Sequence, residues 1–155
     1  MRENEHIQDG REPSGSRTSG RVLAVDPGRK RVGLAVSDEL RLTARPLPTL
    51  RRSNWKELLQ SLSDVVRRFD VKAVVIGLPR LLEGAEGDAA EEARRFGHNL
   101  QLSLRLPVYF QDECLTSKVS EENLRAEGHS ESAIAARIHG EAARLILLDF
   151  ISQSS

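Results

Sequence analysis

The chain has 155 residues, balances 23 basic against 23 acidic side chains and is 39% hydrophobic, which supports one globular domain and excludes a second independent core. The lone Cys114 excludes an internal disulfide framework and fits a reducing cytoplasm. No apolar run approaches the roughly twenty residues of a membrane span, so a soluble chain with no membrane partner is expected.

Residues 1–20, rich in Gly, Ser, Pro and charge, read as a mobile tail that lacks the basic start and apolar middle of a secretory signal. Residues 21–155 read as a single domain. It opens with three β-like runs, RVLAVD at 21–26, RVGLAVS at 31–37 and RLTARPLPTL at 41–50, separated by the turn chemistry of Pro27, Gly28 and Asp38. The short link between the first two predicts an antiparallel hairpin. Pro46 and Pro48 push the third to an edge.

A helix is expected from Asn54, which with Glu57 has capping-box spacing, and Leu58, Leu62, Val65, Val66 and Phe69 form its apolar stripe. VKAVVIG at 71–77 reads as a strand buried on both faces and reached by a parallel crossover. After a loop at 78–87, Asp88 and Glu91 repeat the capping-box spacing, and Ala89, Ala93, Phe96, Leu100 and Leu104 recur at helical steps. Pro107 stops that helix, and VYFQ at 108–111 is a further short strand. Helices around 118–126 and 131–151 complete a three-layer α/β arrangement, the last with Ile134, Ile138, Ala142, Leu145 and Leu148 as its stripe. Trp55, Phe96 and Tyr109 are expected to pack in the core, and His98 and His129 to lie on the surface.

Zero net charge conceals an uneven distribution: residues 21–56 carry nine Lys/Arg against three Asp/Glu, while acids dominate 81–95 and 111–131. Asp26 ends a hydrophobic strand just before Pro27-Gly28, so its carboxylate is expected at the mouth of the sheet. Arg29, Lys30 and Arg31 follow as candidate phosphate contacts, or as a wet rim beside a turn-capping Asp26. Glu113 follows a separate buried strand. Its neighbour Asp112 should point to the opposite face, and either acid can instead cap local backbone ahead of Thr116 or Ser117. The two distant acids, Asp26 and Glu113, converge only if their strands are neighbours.

The segments VLAVDPGRKRVGLAVSD, VVIGLPRLLEGAEGDAAEEARRF, LPVYFQDECLTSKVSEENL and AARLILLDFI, in that order, resemble the YqgF/RuvX family, small RNase H-like proteins described as Holliday junction resolvases or pre-16S ribosomal RNA nucleases. The resemblance covers nearly all of 21–151. It implies an RNase H-like fold with a mixed central sheet, opening antiparallel strands and flanking helices. It places the first catalytic acid on Asp26 and the second on Glu113. The third acidic position, three residues before the pair Ala142-Ala143, falls on His139, where imidazole can bind a metal or handle a proton but adds no negative charge when neutral. Glu141 is a weaker substitute, because two residues along a helix faces elsewhere. A second departure is Cys114, where the family commonly carries Arg.

The expected chemistry is metal-dependent phosphodiester hydrolysis, with Asp26, Glu113 and His139 as catalytic and metal-ligating residues and Mg²⁺ as the implied ion, Mn²⁺ suiting a histidine ligand better. Arg29, Lys30, Arg31, Thr116 and Ser117 are the expected substrate contacts. The implied partners are structured nucleic acid, either a pre-16S rRNA within a ribosomal precursor or branched DNA, and a second copy of the chain. Six aromatic residues argue against an extensive base-stacking platform. The alternative is a catalytically weak or inactive nucleic-acid-binding ribosome-assembly factor. An actin-like nucleotide fold is disfavoured by chain length and by the lack of a GxxxxGK[ST] loop.

Overall fold

The computed structural model describes residues 7–9, 19–79, 87–113, 128 and 130–154. The expected helix at 118–126, and with it Cys114, Thr116, Ser117 and His129, lies outside the described residues, as does most of the loop at 78–87. Within the stretch expected to be a tail, Ile7–Asp9 forms a strand, β1, that pairs in parallel with Val108–Phe110. The edge of the sheet offers unpaired backbone groups there, and three residues of extended chain satisfy them.

β2 (Arg21–Pro27) and β3 (Arg31–Ser37) form the expected antiparallel hairpin, with Asp26 opposite Gly33. β4 (Ala44–Arg51) carries Pro46 and Pro48 on the far edge, where their missing N–H groups cost no ladder bond, and its register with β3 shifts between Val32 and Leu34. β5 (Val71–Leu78) and β6 (Val108–Asp112) add parallel strands, giving the order β1-β6-β5-β2-β3-β4. The result is the mixed central sheet that the resemblance implies.

Among the described residues three helices sandwich this sheet. α1 (Trp55–Phe69) starts where Asn54 accepts a hydrogen bond from the Glu57 N–H at 2.9 Å, and it ends with Asp70 in the left-handed conformation. α2 (Asp88–Leu104) differs from the capping-box expectation. Its N-cap is Gly87 and Asp88 is already helical, so acids at the first turn complement the helix dipole rather than cap it. α1 and α2 cover one face, where Leu58, Leu62, Phe96 and Leu100 meet Leu23, Val25, Val74, Ile76 and Phe110. Leu62 is fully buried there, worth about 2 kcal/mol in apolar burial.

α3 (Glu131–Ser154) covers the other face, over Val22, Ala24, Val75 and Tyr109. Of the expected stripe, Ile134 and Ala142 are buried while Ile138, Leu145 and Leu148 are half-buried; the rest of the buried side is Ala143, Ile146, Leu147, Phe150 and Ile151. The run LILLDFI is apolar nearly all round, so periodicity alone does not choose the face. Tyr109 and Phe96 are buried as expected, and His98 is exposed. Trp55 is not a core residue: it is 37% exposed, with its ring packed edge to face on Phe96. Among the described residues no helix is long and apolar enough to cross a membrane.

Candidate active site

The alternation of β2 sends Leu23 and Val25 toward α1 and α2 and turns Val22, Ala24 and Asp26 toward α3. Asp26 therefore emerges on the α3 side at the carboxyl end of a central strand. A tight turn follows, closed by the Gly28 N–H donating to the Asp26 carbonyl at 3.0 Å. Arg52, just beyond β4, braces this turn twice. Its backbone N–H donates to the Lys30 carbonyl at 2.8 Å and its guanidinium to the Gly28 carbonyl at 2.9 Å.

Glu113 leaves the end of β6, its N–H bonded to the Leu78 carbonyl at 3.0 Å. The strands bearing Asp26 and Glu113 are not neighbours, as their convergence was expected to require, because β5 lies between them. Two strand spacings are about 10 Å, and the carboxylates meet nonetheless. The residue of β5 beneath them is Gly77, where an added Cβ would lie 3.7 Å from the Glu113 Oε2 and against Ile146. A side chain at Gly77 would fill the space across which Glu113 leans.

Burial first, then a hydrogen bond and charge from Asp26, push the Glu113 carboxyl up to about 9. Glu113 is thus a protonated donor to Asp26 at neutral pH in the absence of a cation. Asp112 is exposed and does not line the site, in line with strand alternation.

His139 reaches the same place from α3. Its Nδ1 lies 3.8 Å from the Asp26 Oδ2 and is buried without a hydrogen-bond partner. The approach depends on Gly33, opposite Asp26 in the hairpin: a Cβ there would collide with the backbone carbonyl of His139. Gly28 is similarly close, its notional Cβ 3.0 Å from the His139 Cε1. Glu141 does not substitute, because both its oxygens are engaged by Arg144, at 3.1 and 2.6 Å.

These groups line a cavity of about 380 Å³ that also includes Arg29, Arg52, Asp88 and Glu92. Of the three consecutive cations expected to meet substrate, Arg29 lines it. Lys30 and Arg31 belong to the turn and the first residue of β3 and line neither this cavity nor its neighbour, since the turn fans successive side chains apart. Arg52 was missed as an individual residue, although its membership of the basic 21–56 segment was a signal.

Residues 20–153 match the family described as RuvX, Holliday junction resolvase. The chain belongs to the RuvX family. It is 41% identical over 136 residues to a Syntrophus aciditrophicus protein named "Putative pre-16S rRNA nuclease", spanning 86% of this chain and 91% of that one. A Koribacter versatilis protein of the same name is 39% identical over 148 residues, 92% of each. T. thermophilus RuvC in complex with Holliday junction substrate shares the fold, with a TM-score of 0.51 and 20% identity over 86% of this chain and 95% of that one. RuvX proteins are nucleases, hydrolases of phosphodiester bonds.

The donor set suits a hard divalent ion in part. Asp26 and Glu113 supply adjacent carboxylates whose shared charge is relieved here by a proton, a role that a cation fills equally well. The orphaned Nδ1 of His139 is a further donor atom. Among the described residues, however, no three His, Cys, Asp or Glu side chains gather in a geometry that could hold a metal. Among the described residues the candidate site is therefore a carboxylate pair with an imidazole standing off it.

Proposed function

We propose that this chain is a metal-dependent endonuclease that processes the 5′ end of pre-16S rRNA in the cytoplasm, working on a ribosomal precursor and able to act on Holliday junctions as a pair of copies. The observation that carries this is the contact of Asp26 with Glu113 in a cleft rimmed by Arg29 and Arg52. The names of its relatives support the rRNA substrate.

Asp26 and Glu113 would hold the ion as oxygen donors, Mg²⁺ by carboxylate chemistry or Mn²⁺ where imidazole takes part. When bound, the ion polarises the scissile phosphate and makes water a better nucleophile. Asp26, unable to move far on its tight turn, sets the position of the reacting phosphate. Glu113 would release its proton to solvent in order to serve as a donor. His139 faces the Asp26 carboxylate with Nδ1 at 3.8 Å and would serve as a further nitrogen donor beside the pair. Arg29 and Arg52 neutralise the phosphate, and Arg52 is already fixed by its bond to Gly28.

The second hypothesis, a ribosome-assembly factor with weak or no cleavage, is favoured by His139 at the third acidic position and by the lack, among the described residues, of a third carboxylate gathered with the pair. Cleavage of precursor 16S rRNA and branched DNA with Mg²⁺ or Mn²⁺, by the wild-type chain and by Asp26→Asn, separates the two. Metal-dependent cleavage lost in Asp26→Asn is expected. Cleavage indifferent to both metal and Asp26 rejects the site, and binding without cleavage in either metal leaves the assembly role.

A further inference from the structure

Beside the carboxylate cleft lies a second hollow of about 460 Å³, lined by Arg29, Arg52, Trp55, Arg95, Asn99 and the acid Glu92. The two hollows share Arg29, Arg52, Glu92 and Phe96, so they are continuous. Glu92, Arg95, Phe96 and Asn99 form one stripe of α2, at steps of three or four residues. That stripe faces the first turn of α1, where Trp55 stands.

The aromatic and cationic groups here are already ordered. Phe96 is a buried floor, 5% exposed, and Trp55 meets it edge to face at 5.6 Å between ring centres, with an interplanar angle of 85°. The Arg52 guanidinium lies 5.4 Å above the Phe96 ring and, among the described residues, donates one of its five N–H groups, to the Gly28 carbonyl. Among the described residues Arg29, Arg52 and Arg95 are in no ion pair, and they outnumber the single carboxylate of Glu92. The partly exposed indole and three guanidinium groups that form no ion pair among the described residues thus present an aromatic face and positive charge in one hollow.

We propose that this hollow is a subsite for the single-stranded flank of the nucleic-acid substrate, in which Arg29, Arg52 and Arg95 follow successive phosphates away from Asp26 and Glu113 while an unpaired base stacks on Trp55. The inference rests on the nuclease assignment for the direction of the strand, but not for binding itself. A single strand is required because a base inside a duplex is already stacked and cannot offer its face to the indole. A duplex would meet the guanidinium groups alone. Asn99, one turn beyond Arg95, supplies the amide that meets a base edge or a sugar hydroxyl.

Trp55 is the sole tryptophan, so its emission reports this subsite without a label. The wild-type chain is titrated in EDTA with a mixed-sequence single-stranded RNA of about ten nucleotides and with the same sequence as a blunt duplex, and binding is followed independently by anisotropy of a labelled strand. The single strand is expected to quench Trp55 saturably and the duplex to leave it unaltered. Arg95→Gln, an exposed change, is expected to weaken single-strand binding about fivefold and to lower the slope of log affinity against log salt by about 0.7, one phosphate contact. Trp55→Leu is expected to weaken binding about tenfold with the slope unchanged.

Binding of the single strand without quenching overturns the proposal, as does an unchanged salt slope in Arg95→Gln or equal quenching by the duplex. Restoring Mg²⁺ or Mn²⁺ separates the two hypotheses. Quenching with no cleavage keeps the subsite and rejects the hydrolytic assignment, whereas cleavage by a chain whose Trp55 never responds rejects the subsite alone.

Discussion

His139 directs its Nδ1 at the Asp26 carboxylate from 3.8 Å, and that buried nitrogen has no hydrogen-bond partner. A buried polar atom left unpaired costs about 1–3 kcal/mol, so the pair is held together by the packing of α3 and not by a bond of its own. Replacing the imidazole by a carboxylate at the end of the same helix turn would add a third negative donor to Asp26 and Glu113. His139→Asp is expected to raise the Mg²⁺ affinity of the site about tenfold and to shift preference from Mn²⁺ toward Mg²⁺. Calorimetric titration with each ion checks this, and unchanged affinity for both would place His139 outside the functional shell.

Glu113 predicts a pH dependence. Its carboxyl stands at about 9 against an ordinary 4.5, chiefly because it is buried and secondly because Asp26 is beside it. Between those values the folded chain keeps a proton that the unfolded chain has released, so Glu113 favours folding most at the acid end and this contribution declines as pH rises toward 9. Divalent ions must displace the proton. Their affinity is expected to rise with pH and to level off above about 9, with close to one proton released per ion at neutral pH. Calorimetry in two buffers of different ionisation enthalpy measures that proton. Asp26→Asn removes only the secondary cause, so Glu113 is expected to fall part of the way toward its ordinary value, readable by carbon NMR titration of the carboxyl.

Gly33 makes room for the backbone of α3 at His139. Gly33→Ala would drive a methyl into the His139 carbonyl, which belongs to a helix packed along its length and cannot yield by a side-chain rotation. A loss of about 1–3 kcal/mol is expected, together with a larger fall in cleavage than in nucleic-acid binding, because α3 moves off Asp26 while the Arg29 and Arg52 rim is unaffected. Chemical denaturation and a binding assay on the same variant test the two halves of this expectation.

Asn54 caps α1 through its bond to the Glu57 N–H. Asn54→Ala is expected to cost about 1 kcal/mol and to lower the melting temperature by about 3 °C. The same change loosens the turn that carries Trp55. Thermal unfolding followed by far-ultraviolet dichroism measures the first effect.

Much of the molecule was legible in local pattern. The β2–β3 hairpin, the edge position of β4 with its two prolines, the Asn54 cap and the parallel strand β5 each follow from a few adjacent residues whose backbone preferences agree. The places of Asp26 at the end of β2 and Glu113 after β6 were legible in the same way. The alternation that separates Glu113 from Asp112 needed nothing beyond the geometry of a strand.

Other features arise only when distant segments are brought together. Asp26 and Glu113 meet across an intervening strand because Gly77 has no side chain, a condition set by a third element that neither acid reveals. The face that α3 buries was decided by the sheet, since a nearly uniform apolar run has no preferred side. Trp55 is half open because Phe96 occupies the space beneath it and Arg52 lies over Phe96. Local order depends on neighbours along the chain, whereas convergence, burial and exposure depend on volumes shared by residues far apart in it, and these exist only after the sheet and helices have packed.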